Sequence, residues 1–392
     1  MTYEHLNTPC FIINKEELEK NIDELHTALK INWDNYIIGY SFKTNSLPWI
    51  VNFYKKNNCY AEVVSESEYK LALKLEYEKN KIIYNGPIKY KELFLDAIVN
   101  GSIVNIDSQR ELRWLSDLPQ NKTHKIGLRV NFDIEEVCPG ESACGSEGGR
   151  FGFSVETGAL KEAVDLINQL DNVELVGLHL HISSKTRSLN IYKAIAEKVC
   201  EIKNRYNLTL EYIDVGGGFF GGLPTKPSFA EYIKIIKSIL EKEFSPLTTT
   251  LILEPGAAVV GSPIDYLCRV MDVKTTNLNR FVITNGSRIH IDPLMHKNNY
   301  FYHLREANPL LVEKQVICGF TCMENDRILT LTQQEELVEG SFIIFNKVGA
   351  YTMCLSPLFI DYFPIVYLKD GNDFKVVREK WTESEYIQKC EK

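Results

Sequence analysis

From Tyr36 onward, short runs of β-branched and aliphatic residues alternate with amphipathic stretches, and each run ends on a polar or glycine-bearing turn. Eight strand candidates result: 36–42, 60–64, 81–84, 103–106, 125–131, 174–181, 209–215 and 250–253. Between them, apolar residues recur three and four positions apart, as in 66–77, 157–170, 188–206 and 228–244, which predicts helices. Consecutive parallel strands need a crossover helix, so the alternation predicts a closed (β/α)8 TIM-like barrel of the α/β class over residues 25–256. After Gly256 the runs continue without long helices between them, at 266–275, 280–284, 315–319, 327–331, 341–346, 364–369 and 374–378. They predict a second, mainly β domain, sandwich- or barrel-like, formed by 257–392 and 1–24, with the strand-like segment 8–14 joining it. The segment 133–152 is glycine-rich and irregular, and reads as a mobile loop over the barrel rim.

Bulk properties narrow the functional classes. A chain of 392 residues with 44% apolar and 24% charged residues suits two folded domains. The net charge of −8, with no basic run interleaved with aromatics, argues against nucleic acid as a partner. No apolar run approaches the roughly 18 residues that cross a bilayer, and the N-terminus lacks a secretion signature, so no membrane association and a cytoplasmic location are expected. Ten cysteines are scattered without paired Cys-x-x-Cys knuckles, which predicts reduced, mostly buried thiols and no structural metal.

Barrel enzymes place their chemistry at the C-terminal ends of the strands. There the sequence has Lys43, Ser65, Asn85, Asp107, Arg129 with Asn131, His179 with His181, Gly216-Gly217-Gly218, and Glu254-Pro255-Gly256. One or two polar residues would be ordinary turn formers; a lysine, two histidines, a glycine triplet and a glutamate on one rim predict a site. The ordered set Tyr40-Ser-Phe-Lys43-Thr-Asn45, His179-Leu-His181-Ile-Ser-Ser184, Asp214-Val-Gly-Gly-Gly218, Glu254-Pro-Gly256, Cys322 and Gly349-Ala-Tyr351 resembles the diaminopimelate/ornithine decarboxylase family. The resemblance runs from about Thr8 to Phe363 and implies an alanine-racemase-like barrel followed by a β domain, with pyridoxal 5′-phosphate as cofactor.

Residue by residue, the resemblance implies that Lys43 binds the cofactor covalently, as a lysine amine can once its surroundings lower its pKa. Glu254 would keep the pyridine nitrogen protonated, so that the ring accepts the electron pair left at Cα. Alanine racemases of the same barrel class have an arginine there, so a glutamate favours decarboxylation. Gly216, Gly217 and Gly218 would offer backbone N–H groups to the phosphate, with Ser184 and Tyr351 adding hydroxyls and Gly256 closing the pocket. His181 would stack on the ring, while His179 reads as a hydrogen-bonded core residue. Arg129 and Glu62 match family positions near the cofactor, or form an internal ion pair supporting the barrel. Cys322 would reach a neighbouring subunit's site and protonate Cα, which implies a homodimer with shared active sites.

The resemblance weakens where substrate is read. Family members commonly continue Glu-Pro-Gly with an arginine, here Ala257; many place an acidic residue after the cysteine, here Met323; and the usual glycine of His-x-Gly-Ser is Ser183. Residues 287–297 lack a clear substrate-arginine pattern, leaving Arg150, Arg288, His296, Lys297 and Glu324 as candidate substrate contacts. The expectation is a decarboxylase acting on the α-carboxylate of an amino acid or amino-acid derivative other than standard meso-diaminopimelate. The alternatives are a true diaminopimelate decarboxylase, an amino-acid racemase or epimerase, and, last, a non-enzymatic pyridoxal carrier.

Overall fold

A computed structural model describes Tyr3 and residues 5–391, which divide into two compact units, 22–258 and the described residues up to 21 with 259–391. In the first unit eight parallel strands close on themselves: β1 (Tyr36–Ser41), β2 (Tyr60–Val63), β3 (Ile82–Tyr84), β4 (Ile103–Ile106), β5 (His124–Asn131), β6 (Val173–His179), β7 (Tyr212–Asp214) and β8 (Thr250–Leu253). Neighbours in sequence are neighbours in the ring, with β8 against β1 and β4 against β5 completing closure. The expected barrel is present, and the strands begin and end within about three residues of the expected positions because their apolar runs are buried on both faces. Outside them lie helices such as Glu66–Lys74, Ala159–Ile167, Leu189–Tyr206 and Phe229–Leu240.

The barrel interior is fitted around Tyr212. A Cβ added at Gly127 would fall 2.0 Å from its hydroxyl, and one at Gly177 equally close to its ring, so glycines on β5 and β6 make the room the phenol fills. Ile83, Val176 and Ile252 pack around the same ring. The Tyr212 hydroxyl donates to Asn105 Oδ1 at 2.8 Å, and this bond begins the polar network described below.

A second polar feature lies at the β3 and β4 ends. Lys89 is fully buried and donates to the carbonyls of Gly86 and Asn105 and, at 3.1 Å, to Glu111 Oε2, which also accepts from the Asp107 backbone N–H. Burial pulls the Lys89 pKa down and pushes that of Glu111 up, each opposed by the other's charge. Lys89→Met strands the Glu111 carboxylate in a dry site, and a loss of about 3–5 kcal/mol is expected in a urea unfolding experiment. A loss within error would show that the pair contributes nothing to stability.

In the second unit a long sheet runs, edge to edge, through 327–336, 308–318, 280–284, 264–275, 10–14, 365–370 and 373–378; 342–346 pairs with 264–275 and 301–305 with 342–346. Segment 8–14 joins as expected, through Cys10–Asn14, parallel to Ile365–Asp370 and antiparallel to Ile264–Thr275. Cys10, Ile12, Leu267, Phe342, Ile344, Ile365 and Tyr367 form the core there. Only four of the ten cysteines are buried, so most thiols are not the hidden apolar side chains expected; Cys144, Cys322, Cys354 and Cys390 are exposed. Among the described residues, no helix is long and apolar enough to cross a membrane.

Candidate active site

β1 delivers Lys43 on a single helical turn, Phe42–Thr44, whose other two residues are buried, leaving the lysine as its one open side chain. Its amine lies 2.7 Å from Glu62 Oε2 and 3.4 Å from Ser41 Oγ, and Ser41 donates to the same carboxylate oxygen at 2.6 Å. Glu62 comes from β2 and is almost completely buried. Glu62 and Arg129 therefore do not pair with each other: the guanidinium of Arg129 stands 3.4 Å from Asp107 and 4.6 Å from the Phe151 ring.

Glu254, following β8, is buried and accepts from Asn85 Nδ2 at 2.5 Å. The same Asn85 amide donates to Glu62 Oε1 at 3.1 Å, so one side chain ties the carboxylate at Lys43 to the carboxylate of β8. Asn105 donates in turn to Asn85 Oδ1 at 2.8 Å and to Asp214 Oδ2 at 3.3 Å. His179, Asp214 and Glu254 bring their polar atoms within 4.8 Å of one another. His179 is buried, as the sequence suggests, with its Nε2 3.4 Å from Glu254 Oε2. Burial alone would raise the Glu254 carboxyl; the His179 ring, the Lys43 ammonium and the neighbouring Asp214 carboxyl together hold it well below the usual carboxylate range.

The glycine triplet follows β7. Gly216 and Gly218 have left-handed backbone angles of 68° and 90°. A Cβ at Gly217 would sit 2.2 Å from the Glu254 carbonyl oxygen, and one at Gly216 2.5 Å from the His181 ring, so the loop is bare of side chains by necessity. Two of its N–H groups are already engaged, contrary to the expectation that all three face an anion: Gly216 donates to Asp214 Oδ1 and Gly217 to His181 Nδ1. The Gly217 bond fixes the His181 tautomer, with Nδ1 accepting and the proton on Nε2. Enclosure of its ring, reinforced by the Arg129 and Lys43 charges and opposed by Glu254, lowers the His181 pKa to about 3, so this imidazole is neutral at physiological pH. Tyr192 supports the loop from beneath, donating to the Gly217 carbonyl and stacking on Phe219 at 4.5 Å. Gly256 leaves room for Thr44, whose hydroxyl a Cβ would meet at 2.1 Å.

Ser184 Oγ accepts from the N–H groups of Thr186 and Arg187 and lies 3.3 Å from Thr186 Oγ1. The 133–152 segment is fastened rather than loose. Ala143 donates to Ser183 O, Lys185 to Glu141 O and Gly152 to Asp107, while the Glu141 carboxylate accepts from the Thr186 and Ser188 hydroxyls. Its Arg150 is exposed and lies 4.1 Å over the Phe151 ring.

In the second unit Cys322 is exposed on the turn between Asn308–Cys318 and Arg327–Glu336. That turn is held by Asp326, which accepts from Thr321 N and Oγ1, Ser287 Oγ and Arg288 N. Tyr351 is exposed. Arg288 bonds Asp292 and the Lys297 carbonyl, Lys297 Nζ donates to the Ile291 carbonyl, and Glu324 pairs with Arg327 at 2.8 Å, so these three are held by local partners. His296 is exposed.

The rim suits a flat, anionic heteroaromatic ligand: an amine beside a buried carboxylate, a neutral imidazole, a glycine loop without Cβ atoms, and an ionised glutamate at the inner wall. Together with the barrel, this defines the class of enzymes that carry pyridoxal 5′-phosphate. A profile of the pyridoxal-dependent decarboxylases, describing their pyridoxal binding domain, matches residues 16–261. The diaminopimelate decarboxylase of Methanocaldococcus jannaschii is 24% identical, over 98% of this chain and 92% of its own length; that of Aquifex aeolicus is 26% identical, over 89% and 83%. The crystal structure of the M. jannaschii enzyme in complex with L-lysine superposes with a TM-score of 0.87 at 23% identity, covering 99% of this chain and 93% of that one, a likeness of fold. The chain belongs to the pyridoxal-dependent decarboxylase family. It is thus a pyridoxal-phosphate-dependent amino-acid decarboxylase, a carbon–carbon lyase, and the racemase and carrier alternatives fall away.

Proposed function

We propose that this enzyme removes the α-carboxylate of a free diamino acid of the diaminopimelate type, with Lys43 holding the cofactor and Glu254 facing its ring nitrogen. The buried Glu254 carboxylate at the end of the last barrel strand, 2.5 Å from Asn85 Nδ2 and 3.4 Å from His179 Nε2, is the observation that carries the reading, and its surroundings favour the charged form. Bound pyridoxal phosphate supplies an electron sink for the pair left on Cα when carbon dioxide departs. The protein's own groups do the rest. Glu254 holds the ring proton, neutral His181 offers an uncharged face for stacking, and the Gly218 N–H with the Ser184 hydroxyl receives the phosphate. Glu62 holds the Lys43 amine in place through the 2.7 Å contact.

The substrate assignment follows the names of relatives that span nearly the whole chain, and so departs from the expectation of a non-standard substrate. Ala257 favours a second reading, a substrate without a distal carboxylate, since the residue after Glu-Pro-Gly cannot pair with one. Carbon dioxide release across meso-diaminopimelate, lysine, ornithine, arginine, N-substituted diamines and carrier-bound acyl groups separates the two. Preference for meso-diaminopimelate supports the first; release only from substrates lacking a second carboxylate contradicts it.

Cys322 is the proposed proton donor to Cα, supplied by a second copy of the chain in a homodimer. It is exposed, and Leu355, Leu358, Phe359 and Ile360 form a run of exposed apolar residues that a second subunit would cover. Cys322→Ala is expected to reduce amine product by about 10–100-fold or divert it to aldehyde. Mixing Cys322→Ala with Lys43→Ala chains should restore activity, because one mixed site then has both groups. Unchanged kinetics and products in Cys322→Ala would remove the cysteine from this role.

A further inference from the structure

Asp214 lies at the end of β7, completely buried, two residues before the glycine loop. Its carboxyl group and that of Glu254, both buried, lie with the His179 ring within 4.8 Å of one another, and two carboxylates that close in a dry site favour a proton on one of them. The donors around the pair decide which one. Glu254 receives the short 2.5 Å bond from Asn85 and faces His179, whereas Asp214 receives Gly216 N–H at 2.9 Å and Asn105 at a long 3.3 Å. Asn105 is itself oriented by the Tyr212 hydroxyl, which occupies its oxygen and leaves only its NH2 to face Asp214 and Asn85.

We propose that Asp214 works as a neutral carboxylic acid, a positioning residue that donates to Glu254 while accepting from the Gly216 N–H, so that one side chain aligns the ring-nitrogen carboxylate with the phosphate loop. The inference rests on the reading of Glu254 as the partner of the cofactor ring. The titratable groups around Asp214 are Glu254 just after β8, Glu62 on β2, His179 on β6 and Tyr212 on its own strand. Burial and the Glu254 charge both favour its protonated form. Asparagine reproduces the main features of this state: its oxygen accepts from Gly216 and its NH2 donates to Glu254, at the loss of the long 3.3 Å bond from Asn105.

The test is titration of the apoprotein with pyridoxal 5′-phosphate, followed by visible absorbance from acid to neutral pH. Wild type, Asp214→Asn, Asp214→Ala and Glu254→Gln are compared, with thermal unfolding of each apoprotein as a check on folding. Asp214→Asn should bind within about threefold of wild type, with the same acid limb. Asp214→Ala should bind about tenfold or more weakly, because Glu254 loses a donor to its charged form. A folded Asp214→Asn that binds as weakly as Asp214→Ala would show that an anion is needed there and overturn the inference, as would an Asp214→Ala indistinguishable from wild type. If Asp214→Ala does not fold, Asp214→Asn alone decides. Failure of the underlying reading looks different: Glu254→Gln would then match wild type in both cofactor binding and turnover.

Discussion

Replacing Lys43 with alanine is expected to abolish the visible absorbance of the holoenzyme and to lower turnover by about 10⁴-fold or more. The loss should be this large because no other described side chain could take over its position. Lys43 is the amine set against Glu62 and Ser41 on the rim, and the buried Lys89 is held by two carbonyls and Glu111. Added methylamine should return part of the activity by supplying the missing amine, whereas a structural defect would not respond to it. A Lys43→Ala protein that keeps both colour and activity would place the cofactor on another residue.

The second large effect concerns Glu254→Gln, for which a fall of about 10²–10³-fold in kcat/KM is expected, with the cofactor still attached to Lys43. Glutamine keeps the shape and the Asn85 contact region but removes the negative charge that holds a proton on the ring nitrogen. The loss should appear mainly in kcat, because the interaction matters most as charge develops in the ring. In the wild type, the Glu254 pKa is held below the usual carboxylate range, so an acid limb of activity at ordinary carboxylate pH should not belong to Glu254. A variant with unchanged kcat would remove the glutamate from the chemistry.

The barrel was legible because parallel strands buried on both faces are written as continuous apolar runs, and because crossover helices separate them at regular intervals. The rim was legible for the same reason, since strand ends place their next polar residue on one side of the ring. The second unit was read less completely. Phe301–Arg305 is missing from the sequence reading, and the strands Asn308–Cys318 and Arg327–Glu336 run well beyond the expected 315–319 and 327–331. Their outer residues are largely exposed, so no apolar alternation marks them, and backbone pairing alone extends the ladder.

Within the site, composition pointed to donors and acceptors but not to their pairing. Asn105 inside Ile103-Val-Asn-Ile106 is the one signal that could have been read: an amide in an otherwise apolar strand needs partners. Which partners, Asn85, Asp214 and Tyr212, depends on two other strands. The same holds for the glycine triplet. Its lack of side chains was evident, but the engagement of two of its three N–H groups by Asp214 and His181 was not. For the 133–152 segment, glycine content suggested mobility, while Glu141 and Ser183 tie it to the loop after β6.

The central claim is that pyridoxal 5′-phosphate is held on Lys43, and borohydride reduction of the holoenzyme followed by peptide mass mapping tests it directly. The account predicts a stable pyridoxyl adduct on the peptide containing Lys43 and on no other lysine. An adduct on a different lysine, or none from a folded, cofactor-loaded protein, would contradict it.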